Sequence, residues 1–185
     1  EKDYPAIYQH LLQYEDRLKK RYDKGEHWTN LRNCAYLEEF EKEKIVYNDI
    51  CQELTFSLVE KSMYFNNTAY FINDNSYSLL AFLNSKIIDW YYRQISVQLG
   101  DKAVRMFSIY VENIPIPDIS AEDQAPFVSL VEQILHAKEQ NEDSTTLERE
   151  IDRMVYELYG LTEEEIKIVE GEEVSSTPLT DHSEH

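Results

Sequence analysis

The run Ile114-Pro115-Ile116-Pro117 limits what this chain can fold into more than any other stretch. A proline has no amide hydrogen to donate, and its ring drives the preceding residue into extended geometry. Two prolines at alternate positions exclude the run from a helix interior and from a central strand, so it must be an extended connector. The residues beyond it are patterned for helices. Glu122 to Gln140 and Leu147 to Tyr159 are amphipathic, with Leu130, Ile134 and Leu135 on one side to meet Ile151, Met154, Val155 and Leu158 on the other. The polar Asn141-Glu142-Asp143-Ser144 joins them, which predicts an antiparallel helical hairpin. Gly160 is placed to end the second helix, and Thr162 with Glu165 has the spacing of a capping box that opens a third, short one. After Gly171 the chain is polar and acidic with no periodicity, so residues 172–185 are expected to be a disordered tail.

Ahead of the connector the pattern is mixed. Ile7, Leu11, Tyr14, Leu18 and Tyr22 fall at helical spacing over residues 6–24, and Arg17, Lys19, Lys20, Arg21 and Lys24 crowd the last turns, where cations complement the helix dipole. Gly25 is the natural stop. Trp28 and Leu31 are expected to anchor packing around an exposed Arg32-Asn33 pair. From Lys44 to Ile72 the period shifts to two: Ile45–Tyr47, Leu54–Val59, Met63–Phe65 and Ala69–Ile72 predict three or four strands, with Asn66-Asn67 as a hairpin turn. Ser76 to Tyr92 returns to a helix with a broad apolar face, and residues 93–111 are too irregular for one element, which predicts a loop or short strands on a surface. Spacing by itself supports a soluble mixed α/β domain; the fold expected here is α+β, a small and mostly antiparallel sheet with packed helices followed by a C-terminal helical hairpin. The expected organisation is a domain over residues 1–117, a helical extension over 118–171 packed on it, and the tail.

Composition places the chain among globular proteins, with 42% hydrophobic residues over 185 positions. No run approaches the roughly 20 apolar residues of a membrane span, and no signal-peptide pattern opens the chain, so no membrane is expected as a partner and a cytoplasmic location is the default. The sequence opens on Glu1 rather than Met, as expected for a piece of a longer chain. Cys34 and Cys51 lack CxxC spacing and His neighbours, which fits small core residues in a reducing compartment. The net charge of −18 opposes a nucleic-acid partner at first sight, because phosphate neutralisation needs Lys and Arg. The distribution changes that. Residues 1–111 carry 14 basic against 16 acidic side chains, a net of −2, whereas residues 112–185 carry 4 against 20, a net of −16. A domain that supplies base contacts, while an attached partner supplies much of the phosphate grip, need not be basic overall.

Four motifs occur in order: Trp28-Thr29-Asn30-Leu31-Arg32, Lys44-Ile45-Val46-Tyr47, Leu83-Asn84-Ser85-Lys86 and Ile114-Pro115-Ile116-Pro117. As an ordered set they resemble the C-terminal target recognition domain of adenine-specific DNA methyltransferases, the TaqI-like specificity domain of single-chain type IIG restriction-modification enzymes, over about residues 4 to 170. The resemblance implies double-stranded DNA as a partner. It also implies a separate methyltransferase domain of the parent chain that uses S-adenosylmethionine to methylate an adenine flipped out of the duplex. This chain has neither the Asn/Asp-Pro-Pro-Tyr/Phe motif nor any Gly-x-Gly pair, so the catalytic residues and the cofactor site are assigned outside it.

Sequence is read in the major groove by Arg or Lys on guanine and by Asn or Gln on adenine. Residues 93–108 carry that mixture in Arg93, Gln94, Gln98, Lys102 and Arg105, and Arg32, Asn33, Lys44, Asn66, Asn67 and Lys86 form a second set. Ordinary loop polarity is the competing reading of those residues, and the resemblance favours DNA. Pro117-Asp118 with Glu165-Ile166-Lys167 matches the letters of a nuclease metal motif, but Glu165 is already accounted for as a cap. No His has a partner at metal-ligand spacing. The rival classes are an acidic protein-interaction or scaffold module without DNA binding, and a self-contained hydrolase.

Overall fold

A computed structural model describes residues 2–31 and 34–172. The chain divides into two compact units, Glu1–Glu41 and Lys42–His185. In the first, Pro5 opens α1 (Pro5–Leu12), which is followed by α2 (Glu15–Lys19) and a 3₁₀ turn at Leu37–Glu41. The single helix expected over residues 6–24 is thus interrupted at Gln13-Tyr14, where Tyr14 leaves helical geometry. Neither helix has a buried residue, and short helices draw most of their stability from a packed face. Gly25 takes the left-handed conformation, with φ +66°, that turns the chain toward Trp28. Trp28 is buried beside the Tyr8 ring, at 5.8 Å between centroids, and its carbonyl accepts a bond from Arg21.

In the second unit β1 (Lys44–Asn48) lies between β3 (Phe56–Val59) and β4 (Ala69–Ile72) in an antiparallel sheet. A second antiparallel sheet has the order β2-β6-β5, from β2 (Ile50–Cys51), β6 (Ala103–Arg105) and β5 (Val97–Leu99). Asp49 alone separates β1 from β2, so the chain passes from one sheet to the other across one residue. Its amide donates to the Thr68 carbonyl beside β4 at 2.8 Å, and its carbonyl accepts from Met106 just after β6 at 2.7 Å. Met63–Phe65, expected as a strand, is irregular, and Ser62 ahead of it has a positive φ of 63°. Asn66 and Asn67 consequently make no hairpin. Asn66 instead closes a local turn, its side-chain oxygen accepting from the Thr68 amide at 3.0 Å.

The helix expected from Ser76 to Tyr92 is two, α3 (Tyr77–Leu83) and α4 (Lys86–Ile95). Asn84 and Ser85 break it because their side chains bond the backbone elsewhere. Asn84 receives the Phe56 amide on Oδ1 at 3.0 Å, and through Nδ2 donates to the Phe56 carbonyl at 3.0 Å and the Leu80 carbonyl at 2.9 Å. This one amide continues the edge of β3 and closes α3 together. Ser85 is buried, and its hydroxyl donates to the Phe82 carbonyl at 2.7 Å. It therefore stands at the start of α4 without capping it; Asp152 performs that task, accepting the Lys86 amide on Oδ1 at 2.8 Å.

Asp152 belongs to α7 (Thr145–Tyr159), which pairs with α6 (Ala121–Glu139) as the expected helical hairpin, and α8 (Glu163–Glu170) opens on the expected Thr162–Glu165 capping box. A short α5 (Ser108–Val111) leads into the proline run, which is in neither helix nor strand, as its chemistry requires, and whose Ile114 amide bonds the Val111 carbonyl at 3.2 Å. Residues 118–171 share one core with those ahead of the prolines. Phe82 of α3 meets Phe127 of α6 edge-to-face at 4.9 Å, Ser78 donates to Gln124 at 2.9 Å, and the Tyr159 hydroxyl donates to the Pro115 carbonyl. Ile88, Tyr92, Val104, Met106 and Val155 in that core are at most 1% exposed. Burying each such side chain is worth about 1.5–3 kcal/mol, so the helices beyond the connector are part of the unit. Residues 173–185, expected as a disordered tail, lie outside the described residues.

Candidate nucleic-acid interface

The small sheet β2-β6-β5 turns polar and apolar side chains together toward solvent. Its register aligns Ile50, Arg105 and Val97 across the strands, with Cys51, Val104 and Gln98 in the next row. Successive residues point to opposite faces. Val104 is fully buried on the inner face, which leaves Ile50, Arg105, Val97, Ala103 and Leu99 on the outer one. Ile50 is 49% exposed, Val97 43% and Leu99 37%. Gly100, with φ +69°, turns the chain from β5 toward β6, and Lys102 stands exposed at that turn.

Two arginines in this region do different work. Arg93, near the end of α4, donates from Nε to Asp89 at 2.7 Å, from Nη1 to the Lys102 carbonyl at 2.9 Å, and from Nη2 to the Gln52 carbonyl and to Asp89 at 3.1 Å. Its pKa lies above the ordinary arginine value, chiefly through the hydrogen bond to Asp89. Asp89 also accepts the Leu54 amide at 3.2 Å. Arg93 is therefore a staple that fastens the β5–β6 turn and the Gln52–Leu54 segment to α4. Arg105 lies on the outer face. Its Nη2 meets Asp49 Oδ2 at 3.0 Å, its Nε lies 3.5 Å from Oδ1, and its guanidinium sits over the Phe107 ring at 5.1 Å. The buried Tyr92 hydroxyl holds the Arg105 carbonyl at 3.0 Å, and burial raises that phenol's pKa.

Of the remaining residues expected at the interface, Gln98 is exposed and donates to the Arg93 carbonyl at 2.8 Å, and Gln94 donates to the Trp90 carbonyl one turn back. Lys86 is exposed, in an ion pair with Glu170 at 3.3 Å. Asn66 and Asn67 are exposed on the turn before β4. Lys44 is fully buried on β1 and offers nothing to solvent. Arg32 and Asn33 lie outside the described residues. Arg105 on the outer face and Lys102 at the turn thus belong to one ribbon, Gln98 lies on the opposite face of β5 in the row of Val104, and Lys86 and the two asparagines lie on other elements. Asp49, Ile50 and Val97 were not singled out in the sequence. The partner of Asp49 is 56 residues away, and an exposed aliphatic residue in a strand looks the same in sequence as a buried one.

The nuclease-like letters resolve into capping: Glu165 Oε2 accepts the Thr162 amide at 2.8 Å and its hydroxyl at 2.9 Å. These bonds hold the Glu165 carboxyl below its usual range. Among the described residues no three His, Cys, Asp or Glu side chains converge as a metal site requires, and no helix is long and apolar enough to cross a membrane.

Residues 7–116 match the model of the TaqI-like C-terminal specificity domain. The chain belongs to that family. A relative, the type II methyltransferase M.MjaIV of Methanocaldococcus jannaschii, is 30% identical over 163 residues, which is 82% of this chain and 54% of the relative. The chain thus spans about half the length of the curated relative it matches. Within this specificity domain the motifs acquire structural roles: Lys44–Tyr47 lies in the central strand β1. Leu83-Asn84-Ser85-Lys86 is the joint between α3 and α4 that bonds both β3 and α7, and Ile114–Pro117 carries the chain from α5 into the helical hairpin.

Proposed function

We propose that this chain selects the DNA sequence on which a type II adenine methyltransferase acts, with the outer face of β2-β6-β5 laid against the major groove. The supporting observation is the β5–β6 ribbon itself, with Arg105 on its solvent-facing side and Lys102 exposed at its turn, fixed to α4 by Arg93. A two-stranded ribbon fits that groove, and rigid placement is what base reading needs. The −16 charge over residues 112–185 suits packing toward other protein better than toward phosphates. The reading places S-adenosylmethionine and the methyl-transfer residues in a catalytic domain of the parent enzyme, with double-stranded DNA held between the two.

The chain, incubated with a randomised duplex pool at low salt and with the bound duplexes sequenced, should enrich a short motif, and retention should fall as salt rises. No retained DNA even at low salt would favour the acidic interaction module instead. With labelled S-adenosylmethionine the chain alone should transfer no methyl group; transfer would refute the division of labour.

A further inference from the structure

We propose that Arg105 reads a guanine, and that Asp49 and Phe107 are the positioning residues that make it select a base edge over a phosphate; this rests on the DNA-reading role above. An arginine has five N–H donors in a planar fork. Asp49 engages the side of that fork, through Nε and one Nη2 hydrogen, and the guanidinium carbon sits over the Phe107 ring at 5.1 Å. The outward end, both Nη1 hydrogens and the second Nη2 hydrogen, has no partner among the described residues. Two parallel donors at that end match the N7 and O6 acceptors of guanine in the major groove.

The neighbouring carboxylate decides between the two DNA acceptors. A phosphate approaching the guanidinium also approaches Asp49, and like charges in contact repel. Guanine presents neutral acceptors and meets no such repulsion. The Arg105–Asp49 pair is partly exposed, at 41% and 15% of the two side chains, and such pairs add at most about 1 kcal/mol to stability. Orientation is the better account of why the carboxylate is there. Asp49 is itself held by backbone bonds to Thr68 and Met106, and the Tyr70 hydroxyl reaches its Oδ1 at 3.4 Å, so the reader is referenced to both sheets. Ile50 and Val97 flank Arg105 across the register, and exposed aliphatic side chains in that position suit the C5-methyl of a neighbouring thymine.

The test is bind-and-sequence on the 185-residue chain, comparing wild type with Arg105→Ala, Asp49→Asn, Phe107→Leu and Lys102→Ala, each checked for a native thermal transition. Wild type should enrich a motif with guanine fixed at one position. Arg105→Ala should erase the preference there, a loss of about 5- to 150-fold in discrimination, with the other positions retained. Asp49→Asn should lower discrimination at that same position while total DNA retention holds or rises, because the guanidinium is then free to take phosphates. Phe107→Leu, which leaves the ion pair in place, should lower discrimination there too, and decides the matter if Asp49→Asn does not fold. Lys102→Ala should leave that guanine in the motif. A motif unchanged in Arg105→Ala, whether affinity falls uniformly or not at all, overturns the guanine assignment alone. Arg105→Ala relaxing the position while Asp49→Asn and Phe107→Leu leave it fixed overturns the positioning roles. A wild-type pool without any motif overturns the DNA-reading role and this inference with it.

Discussion

Replacing Asp152 with alanine should weaken the junction between α7 and α4 by about 1–2 kcal/mol, the balance of two opposed effects. The side chain is buried, at 8% exposure, and its Oδ1 takes the first amide of α4, that of Lys86, at 2.8 Å. No substitute is at hand, because the hydroxyl of Ser85 is committed to Phe82. Loss of a helix cap costs about 0.5–2 kcal/mol, and an amide left unsatisfied about 1–3 kcal/mol. Against this, burial raises the pKa of the carboxyl, outweighing the stabilising Lys86 amide and ammonium, so alanine also removes a charge the fold disfavours. For a chain of this length the net corresponds to a thermal midpoint about 2–8 °C lower. Asp152→Asn keeps an acceptor oxygen without the charge, and should lie within about 0.5 kcal/mol of wild type at neutral pH, or above it. The raised carboxyl binds its proton more tightly folded than unfolded, so its contribution declines as pH climbs from the ordinary value of 3.8 through the folded one. The asparagine variant should lack that decline. Urea and thermal denaturation of the three proteins from pH 4 to 7 measure all of this, and an alanine variant with a wild-type midpoint, or an asparagine variant as damaged as alanine, would refute the capping account.

Asn84→Ala removes bonds to the Phe56 amide, the Phe56 carbonyl and the Leu80 carbonyl, and should cost about 1–3 kcal/mol in urea unfolding; a loss below a few tenths would show that water replaces them. Arg93→Lys should destabilise nearly as much as Arg93→Ala, since one ammonium cannot serve Asp89, Gln52 and Lys102 together, and full rescue by lysine would contradict the staple role. Burial pushes the Tyr47 phenol up to about 12, and those of Tyr92, Tyr156 and Tyr159 are also raised. Phenols protonated in the fold and ionised in the unfolded chain make stability fall as pH rises above the ordinary value of 10. Ultraviolet titration should therefore show a late-ionising class of tyrosines released cooperatively with alkaline unfolding, and a single smooth titration near 10 would refute it.

The helices beyond the prolines were legible because each is specified locally: an apolar stripe, a glycine stop for α7 and α8 and, for α8, a capping box, all within a few residues. The break at Asn84-Ser85 was not, because the apolar face runs unbroken across it and the strand that bonds Asn84 lies 28 residues away. Lys44 read as a basic site residue, and only the pairing of β1 with β3 and β4 shows that its side chain is enclosed. Arg93 and Arg105 looked equivalent for the same reason. What separates staple from outward-facing guanidinium is a pair of long-range partners, the Gln52 carbonyl and Asp49, at separations of 41 and 56 residues. The Asp89–Arg93 spacing of four residues was the one local hint that Arg93 is already engaged.

The family match ends at residue 116, whereas the packing runs on to α8. Specificity domains invite exchange between enzymes, and a chimaera cut at that boundary would bare the Phe82 face of α3 and leave the opening amide of α4 without its acceptor. The portable cassette is longer than the motif-bearing segment. A graft intended to transfer recognition has to carry the helices through Glu170, because they hold α4, and α4 through Arg93 holds the ribbon.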